Sequence, residues 1–159
     1  PLGGGLVTTA AKRGIAEPAW VESAVAAMSM LNAEAAEAAR AGGAHALTDV
    51  TGFGLLGHLH EVCEASGVGA EIDAAAVPAL PGALELAGSG RAEAGGSRRN
   101  AEDARRFTTW SDAVPADRRA LLTDAMTSGG LLAAVPPGTE MAGTRIGTLV
   151  SGEPKIAVS

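Results

Sequence analysis

The segment from Thr48 to Leu59 combines one carboxylate, two hydroxyls and three glycines where a short strand should lead into an amphipathic helix. Such turns direct backbone N–H groups and the positive end of the helix dipole at a bound anion. The carboxylate of Asp49 beside that anion favours a hard cation, because Mg²⁺ takes oxygen ligands that it shares with substrate phosphates. The residue types therefore predict a turn that binds phosphate and magnesium.

Each candidate residue in this turn has a functional and a purely structural interpretation. Asp49 is the strongest candidate for a metal contact, with Thr48 as its hydroxyl neighbour. Its structural alternative is a cap on the following helix. Thr51, Gly52 and Gly54 are predicted to shape the turn and to offer backbone donors near phosphate. The same glycines would also suit a tight strand-to-helix connection with no ligand.

A dinucleotide-binding site is a further interpretation of the same residues. Residues 52–57 match the pattern GxGxxG, and Asp73 follows about twenty residues later, where a ribose-binding acid would stand. Two features oppose this interpretation. Asp49 would place a negative charge beside the pyrophosphate, and residues 44–49 are more polar than a buried parallel strand usually is.

Composition narrows the class of protein. The chain of 159 residues has a formal net charge of −6, which argues against non-specific nucleic-acid binding. No apolar run reaches the roughly 18 residues of a membrane span, and no signal peptide opens the chain. A single cysteine excludes an internal disulfide, as is usual in a reducing cytoplasm. Together with the charge and the short apolar runs, it leads us to expect a cytoplasmic protein with no membrane or nucleic-acid partner. Aromatic residues are 3% of the chain, which predicts an aliphatic core.

Hydrophobic periodicity and breaker residues predict an α+β fold, with a mixed sheet covered by helices. The predicted strands are 4–10, 44–50, 68–73, 131–135, 145–150 and 155–158. The predicted helices are 19–40, 53–65, 83–87 and 115–122. Residues 88–100 are predicted to be a loop, and residues 101–112 helix or irregular structure. Residues 136–144 are too few for a helical crossover between strands, which needs at least about ten to twelve residues.

Four segments of the chain resemble selenophosphate synthetase (selenide, water dikinase), in that family's order. Residues 48–59 resemble its signature TDVTGFGLLGHL, and residues 1–5 resemble the strand that opens its C-terminal domain. Residues 95–100 resemble its GG[TS]xRN loop. Residues 127–132 resemble the end of its DPQTSGGLL segment, with Asp-Ala-Met at 124–126 in place of Asp-Pro-Gln. The resemblance covers nearly the whole chain but only the C-terminal half of the enzyme.

This resemblance implies a fold and an activity. It implies that residues 1–159 form one domain, the C-terminal domain shared with aminoimidazole ribonucleotide synthetase, without the N-terminal ATP-binding domain. The implied full-length enzyme is a homodimer that converts ATP, selenide and water to selenophosphate, AMP and phosphate with Mg²⁺, in selenocysteine biosynthesis. Asp49 would join a magnesium site completed by the N-terminal domain, whose cysteine or selenocysteine and lysine carry catalysis. The alternatives are another ATP-dependent enzyme of the same superfamily and a non-catalytic assembly domain.

Two further motifs supply candidate interface or anion contacts. Arg99 and Asn100 follow two glycines, and arginine suits phosphate recognition. The structural alternatives for Arg98 and Arg99 are a solvated surface or ion pairs with Glu102 and Asp103. The second motif is a glycine-rich turn that we expect either to pack beside the first turn or only to enter a strand. Its candidate residues are Thr127, Ser128, Gly129 and Gly130.

The cysteine and histidines are not predicted to be catalytic. Cys63 lies on the apolar stripe of the helix predicted at 53–65, so we expect a core cysteine. His58 and His60 are predicted on the opposite, polar face. Together with His45 they form no metal-binding spacing, and we expect solvated or structural histidines.

Overall fold

Seven helices and six strands make up the computed structural model, which describes all residues from Pro1 to Ser159. The helices are α1 (Gly4–Lys12), α2 (Pro18–Ser29), α3 (Ala33–Ala41), α4 (Gly54–Ser66), α5 (Ala83–Ser89), α6 (Gly95–Ala104) and α7 (Ala116–Leu122). The strands are β1 (Ala46–Asp49), β2 (Val68–Ile72), β3 (Thr108–Trp110), β4 (Leu131–Ala134), β5 (Gly147–Ser151) and β6 (Ile156–Val158). None of the helices combines the length and apolar character needed to cross a bilayer.

The strands form two separate sheets. The larger sheet has the order β3-β6-β2-β5, in which β6 runs parallel to β3 and β2 while β5 runs antiparallel to β2. The smaller sheet is the antiparallel pair of β1 and β4, in which Asp49 lies opposite Leu131. The mixed sheet and its helices confirm the predicted α+β class. The sequence did not indicate that β1 and β4 would stand apart from the other strands.

One aliphatic core joins the helices to the larger sheet. It contains 26 buried residues, and its fully buried larger members include Val7, Leu56, Leu121, Leu122 and Ile156. Burial of each such side chain stabilises the fold by roughly 1.5–3 kcal/mol relative to exposure. Among the aromatic residues only one, Phe107, is buried, as the low aromatic content predicted.

The strand predicted at residues 4–10 is wrong, because this segment forms α1. Gly3 precedes the helix with a left-handed backbone (φ 106°), and the first amides of the helix meet the buried carboxylate of Asp124. That carboxylate lies more than a hundred residues away along the chain. The tertiary cap and the burial of Leu6 and Val7 override the strand preference of the Val-Thr-Thr run.

The single helix predicted at residues 19–40 is also wrong. α2 ends at Ser29 and α3 begins at Ala33, and Met30 between them has an extended backbone. Neither glycine nor proline is present to cause this interruption. The connection instead brings Asn32 to partners elsewhere in the fold, as described below.

The loop predicted at residues 88–100 extends too far, because α6 starts at Gly95. The motif at 95–100 therefore forms the first turns of a helix, which ends at Ala104. The prediction of helix or irregular structure at 101–112 missed β3 at Thr108–Trp110. Contacts of Ser97 and Asn100 with other elements stabilise a helix that its two leading glycines disfavour.

The remaining predicted elements occur within a few residues of their predicted bounds. These are α4, α5, α7, β1, β2, β4, β5 and β6. β4 is half-buried along its whole length. Residues 136–144 contain no helix, as their length predicted.

Candidate functional site

Two glycine-containing turns lie against each other at one end of the small sheet. Because β1 and β4 are antiparallel, the end of β1 lies beside the start of β4. The Val50 amide donates to the Gly130 carbonyl at 2.9 Å, and the Met126 amide donates to the Thr51 carbonyl at 3.0 Å. The motif turns at 48–54 and 127–130 therefore form one contiguous surface.

The glycines of these turns divide into two classes. Gly54 has a left-handed backbone (φ 69°), and an added Cβ would lie 3.0 Å from the carbonyl oxygen of Asp124. An added Cβ on Gly129 would collide with the carbonyl oxygen of Val50. Gly52 and Gly130 have open space where a Cβ would stand and no such backbone constraint. Packing therefore explains Gly54 and Gly129 but leaves Gly52 and Gly130 without a structural requirement.

Asp49 is exposed at the end of β1. Its Oδ1 accepts a hydrogen bond from Asn32 Nδ2 at 3.0 Å, and its Oδ2 accepts none within the chain. The first turn of α4 has no side-chain cap, so Asp49 does not cap the helix. The hydroxyl of Thr48 contacts the Asp49 backbone carbonyl at 3.3 Å and does not reach the carboxylate.

Asn32 links Asp49 to the second turn. The same Nδ2 donates to the Gly129 carbonyl at 2.9 Å. The sequence analysis missed this residue, because only the interrupted α2–α3 segment brings it to the end of β1. The only sequence signal is an asparagine, a residue that favours helix starts, within a long alanine-rich helical pattern.

Thr51 belongs to a short polar chain. Its hydroxyl lies 3.0 Å from Nε2 of His58, whose Nδ1 lies 3.1 Å from a carboxylate oxygen of Glu61. His58 is 8% exposed, so its predicted place on the solvated face of the helix is wrong. It is a structural histidine that holds the Thr51 side chain.

Asn100 and Arg99 have different surroundings although they are neighbours in one motif. Asn100 Nδ2 donates to the carbonyls of Gly52 at 2.9 Å and Thr123 at 3.2 Å, so it joins the first turn to the end of α7. Arg98 and Arg99 are exposed and form no hydrogen bond or ion pair, and Asp103 pairs with Arg106 instead. Of the two structural alternatives for this arginine pair, the solvated surface is therefore present and the ion pair with residues 102–103 is not.

Asp124 is a buried carboxylate that joins three parts of the structure. Its Oδ2 accepts the amides of Gly5 at 2.9 Å and Leu6 at 3.1 Å, and its Oδ1 accepts the Ser97 hydroxyl at 2.9 Å. Burial raises the pKa of Asp124 above its ordinary value, although the hydrogen bonds from Ser97, Leu6 and Gly5 oppose that rise. Asp124 stands in the motif at 124–132, but the sequence predicted no role for it.

The other candidates have structural surroundings. Cys63 is fully buried in the core, and desolvation raises its pKa, so it has the predicted core position. The His60 ring stacks on Phe107 with 3.8 Å between ring centroids. No group of three or more His, Cys, Asp or Glu side chains lies close enough together to hold a metal ion. Asp49 therefore belongs to no such group.

Comparison with known families identifies the family of this chain. The family model described as AIR synthase related protein, C-terminal domain, matches residues 1–146. The chain belongs to this family. The AIR synthase related domain is the fold that the sequence resemblance implied, and its match covers both glycine-containing turns.

Three curated relatives of this AIR synthase related domain are selenide, water dikinases. Selenide, water dikinase of Escherichia coli (strain K12) is 44% identical over 143 residues, which are 88% of this chain and 39% of the relative. Those of Cronobacter sakazakii and Enterobacter sp. (strain 638) are 44% and 43% identical, with the same coverage. The predicted resemblance to the C-terminal part of selenophosphate synthetase is confirmed. The chain spans 39% of the length of these relatives.

Proposed function

We propose that this chain is the C-terminal domain of an ATP-dependent selenophosphate synthetase. The proposed reaction converts ATP, selenide and water to selenophosphate, AMP and phosphate. The observation that carries the proposal is the 44% identity to selenide, water dikinase across 88% of the chain. Since the chain spans only 39% of that relative, we assign the catalytic nucleophile and most of the nucleotide site to the rest of the enzyme.

Asp49 is the magnesium contact in this proposal. The residue suits a hard cation, because its carboxylate is exposed and its Oδ2 is free of hydrogen bonds. One carboxylate does not hold Mg²⁺ alone, and the remaining ligands would be phosphate oxygens, waters and carboxylates of the N-terminal domain. When bound, the cation would neutralise charge on the transferred phosphates.

The turn after Asp49 provides the proposed phosphate contacts. The amides of Gly52 and Phe53 donate no hydrogen bond within the chain, and they lie directly before the uncapped N-terminus of α4. This position favours negative charge, because the helix dipole and free N–H groups act together. Thr48 lies beside the site with its hydroxyl donating to the Asp49 carbonyl, while His58 fixes the Thr51 hydroxyl near these donors.

Exposed side chains around the site support an interface with the N-terminal domain. Met30 and Leu31 are 74% and 87% exposed beside Asn32, and Phe53 is 59% exposed within the first turn. Large apolar side chains grouped at a site are typical of interaction surfaces. Arg99 is free for an anion or an acidic partner side chain, and the exposed Thr127 and Ser128 border the same surface. Docking there would close the site and exclude water from the reaction. A homodimer of the full enzyme is part of the same proposal.

The dinucleotide alternative lacks the structural context that it requires. A Rossmann site needs the strand before the glycines and the strand before the acid in one parallel sheet. Here β1 pairs antiparallel with β4, and β2 lies in the other sheet. Asp73 at the end of β2 accepts the amides of Ala75 and Ala76 and closes a local turn.

Another ATP-dependent enzyme of the same superfamily is the second candidate, because the matching family is described by AIR synthase. Selenide dependence separates the two. We expect the full-length enzyme with Mg-ATP to form AMP only when selenide is added under anaerobic conditions, as measured by chromatography of the nucleotides. The 159-residue chain alone should bind ATP weakly and form no AMP. ATP turnover that ignores selenide would favour the second candidate.

A further inference from the structure

The interruption between α2 and α3 conflicts with its local sequence. Residues 19–40 are rich in alanine, which favours a continuous helix, and no glycine or proline lies among them. The break also leaves Met30 and Leu31 exposed to solvent. Places where a fold departs from local preference are often functional sites, because interactions elsewhere must offset the cost.

Asn32 supplies the interactions at this break. Asparagine at the first position before a helix usually caps it with its side-chain oxygen, but Asn32 precedes α3 and makes no such hydrogen bond. Its Nδ2 donates to Asp49 Oδ1 and to the Gly129 carbonyl instead. Both partners are acceptors, so the amide nitrogen must face them and both of its hydrogens are used. The side chain therefore serves the two turns and not its own helix.

We infer that Asn32 is a positioning residue for Asp49, which holds Oδ1 in place and directs the free Oδ2 toward a divalent cation. This inference rests on the proposed role of Asp49 as a magnesium contact. A carboxylate already held by a neighbour loses little side-chain freedom when the cation binds. Groups that hold metal ligands in this way typically contribute 10- to 100-fold to metal affinity. The bond to Gly129 places Asp49 at a fixed distance from the second turn.

The test measures Mn²⁺ affinity, with Mn²⁺ as a probe for Mg²⁺, in the full-length enzyme with a non-hydrolysable ATP analogue. Electron paramagnetic resonance reports the free Mn²⁺. We expect Asn32→Ala to raise the Mn²⁺ dissociation constant about tenfold. Asn32→Leu should raise it at least as much, because leucine is similar in size, removes both donors and adds no charge beside Asp49. Ser29→Ala is the matched control, since Ser29 ends α2 just before the break and its hydroxyl bonds only to the Val25 carbonyl of the same helix.

Two further measurements separate positioning from stability. Asn32→Ala should no longer affect Mn²⁺ affinity when Asp49 is replaced by Asn, because the effect acts through that carboxylate. At saturating Mg²⁺ the Asn32→Ala enzyme should recover most of its turnover. The Mg²⁺ concentration that gives half-maximal turnover should therefore rise by a larger factor than kcat falls. If Asn32→Ala does not fold, Asn32→Leu carries both measurements.

The outcomes distinguish this inference from the proposed function. A lower melting temperature with unchanged Mn²⁺ affinity in both Asn32 variants would overturn the positioning role, provided that Asp49→Asn weakens Mn²⁺ binding. If Asp49→Asn also leaves Mn²⁺ affinity unchanged, the magnesium role of Asp49 fails and the inference fails with it. If Ser29→Ala raised the Mn²⁺ dissociation constant as much as Asn32→Ala, the cause would be a general disturbance of the α2–α3 region. That result would also overturn the inference.

Discussion

Single polar side chains hold distant segments of this domain together at the residue scale. Asp124 accepts hydrogen bonds from the start of α1 and from α6, and Asn32 joins β1 to the turn before β4. Both residues act through partners that lie far away in the sequence. Local sequence patterns do not indicate such long-range hydrogen bonds. The sequence therefore predicted chemistry at Asp49 but no role for Asp124 or Asn32.

The buried carboxylate of Asp124 gives a prediction for the pH dependence of stability. Its pKa is raised in the folded state by burial, so the folded state binds this proton more tightly than the unfolded state. Its contribution to stability is therefore full below the ordinary aspartate pKa, about 3.9, and is lost as the pH rises through the raised value. The melting temperature of the wild type relative to Asp124→Asn should fall across that interval.

The measurement is thermal unfolding of both proteins from about pH 3.5 upward, starting below the ordinary aspartate pKa. Asp112→Asn, which removes an exposed carboxylate that makes no hydrogen bond, controls for the loss of one charge. A difference between the wild type and Asp124→Asn that stays constant or grows with pH would contradict the raised pKa.

At the scale of elements, local sequence predicted most helices and strands but missed the starts and interruptions that tertiary contacts determine. The alternating and helical patterns located β2, α4 and α7, because their apolar faces pack on the core. The helix at residues 4–12 and the early start of α6 depend on Asp124, whose partners lie on both elements. The break in the predicted helix 19–40 depends on the two bonds of Asn32. Propensity is a weak prior wherever such contacts compete with it.

Two glycines of one turn give a matched test at this scale. Gly54→Ala should destabilise the domain by about 1–3 kcal/mol, because its backbone is left-handed and the new Cβ would press on the Asp124 carbonyl. Gly52→Ala should leave the melting temperature nearly unchanged, since open space surrounds the position. The same Gly52→Ala change should weaken ATP binding by the full-length enzyme, because it adds a methyl group where we place phosphate.

Thermal unfolding and ATP titration of both variants supply the two readouts. Full ATP affinity in a stable Gly52→Ala enzyme would show that the turn serves packing alone. A strong loss of stability in that variant would contradict the open space that the structure shows.

At the scale of the whole molecule, the domain has the exposed carboxylate of Asp49 and two adjoining glycine-containing turns. It also exposes the apolar side chains of Met30, Leu31 and Phe53. It holds no metal-binding cluster of its own, and it spans 39% of its selenide, water dikinase relatives. These features are the ones on which the proposed function rests, in which this domain completes a site formed mainly by the rest of the enzyme. The motif resemblance predicted this partial coverage, since the motifs matched only the C-terminal half of the family.

The most direct test is ³¹P NMR of the full-length enzyme with Mg-ATP and selenide under anaerobic conditions, with wild type and Asp49→Ala compared. We predict a selenophosphate signal from the wild type and almost none from an Asp49→Ala enzyme whose melting temperature is unchanged. Selenophosphate from both enzymes would keep the selenium chemistry but remove Asp49 from the mechanism. Absence of selenophosphate from a folded wild-type enzyme would contradict the proposed function itself.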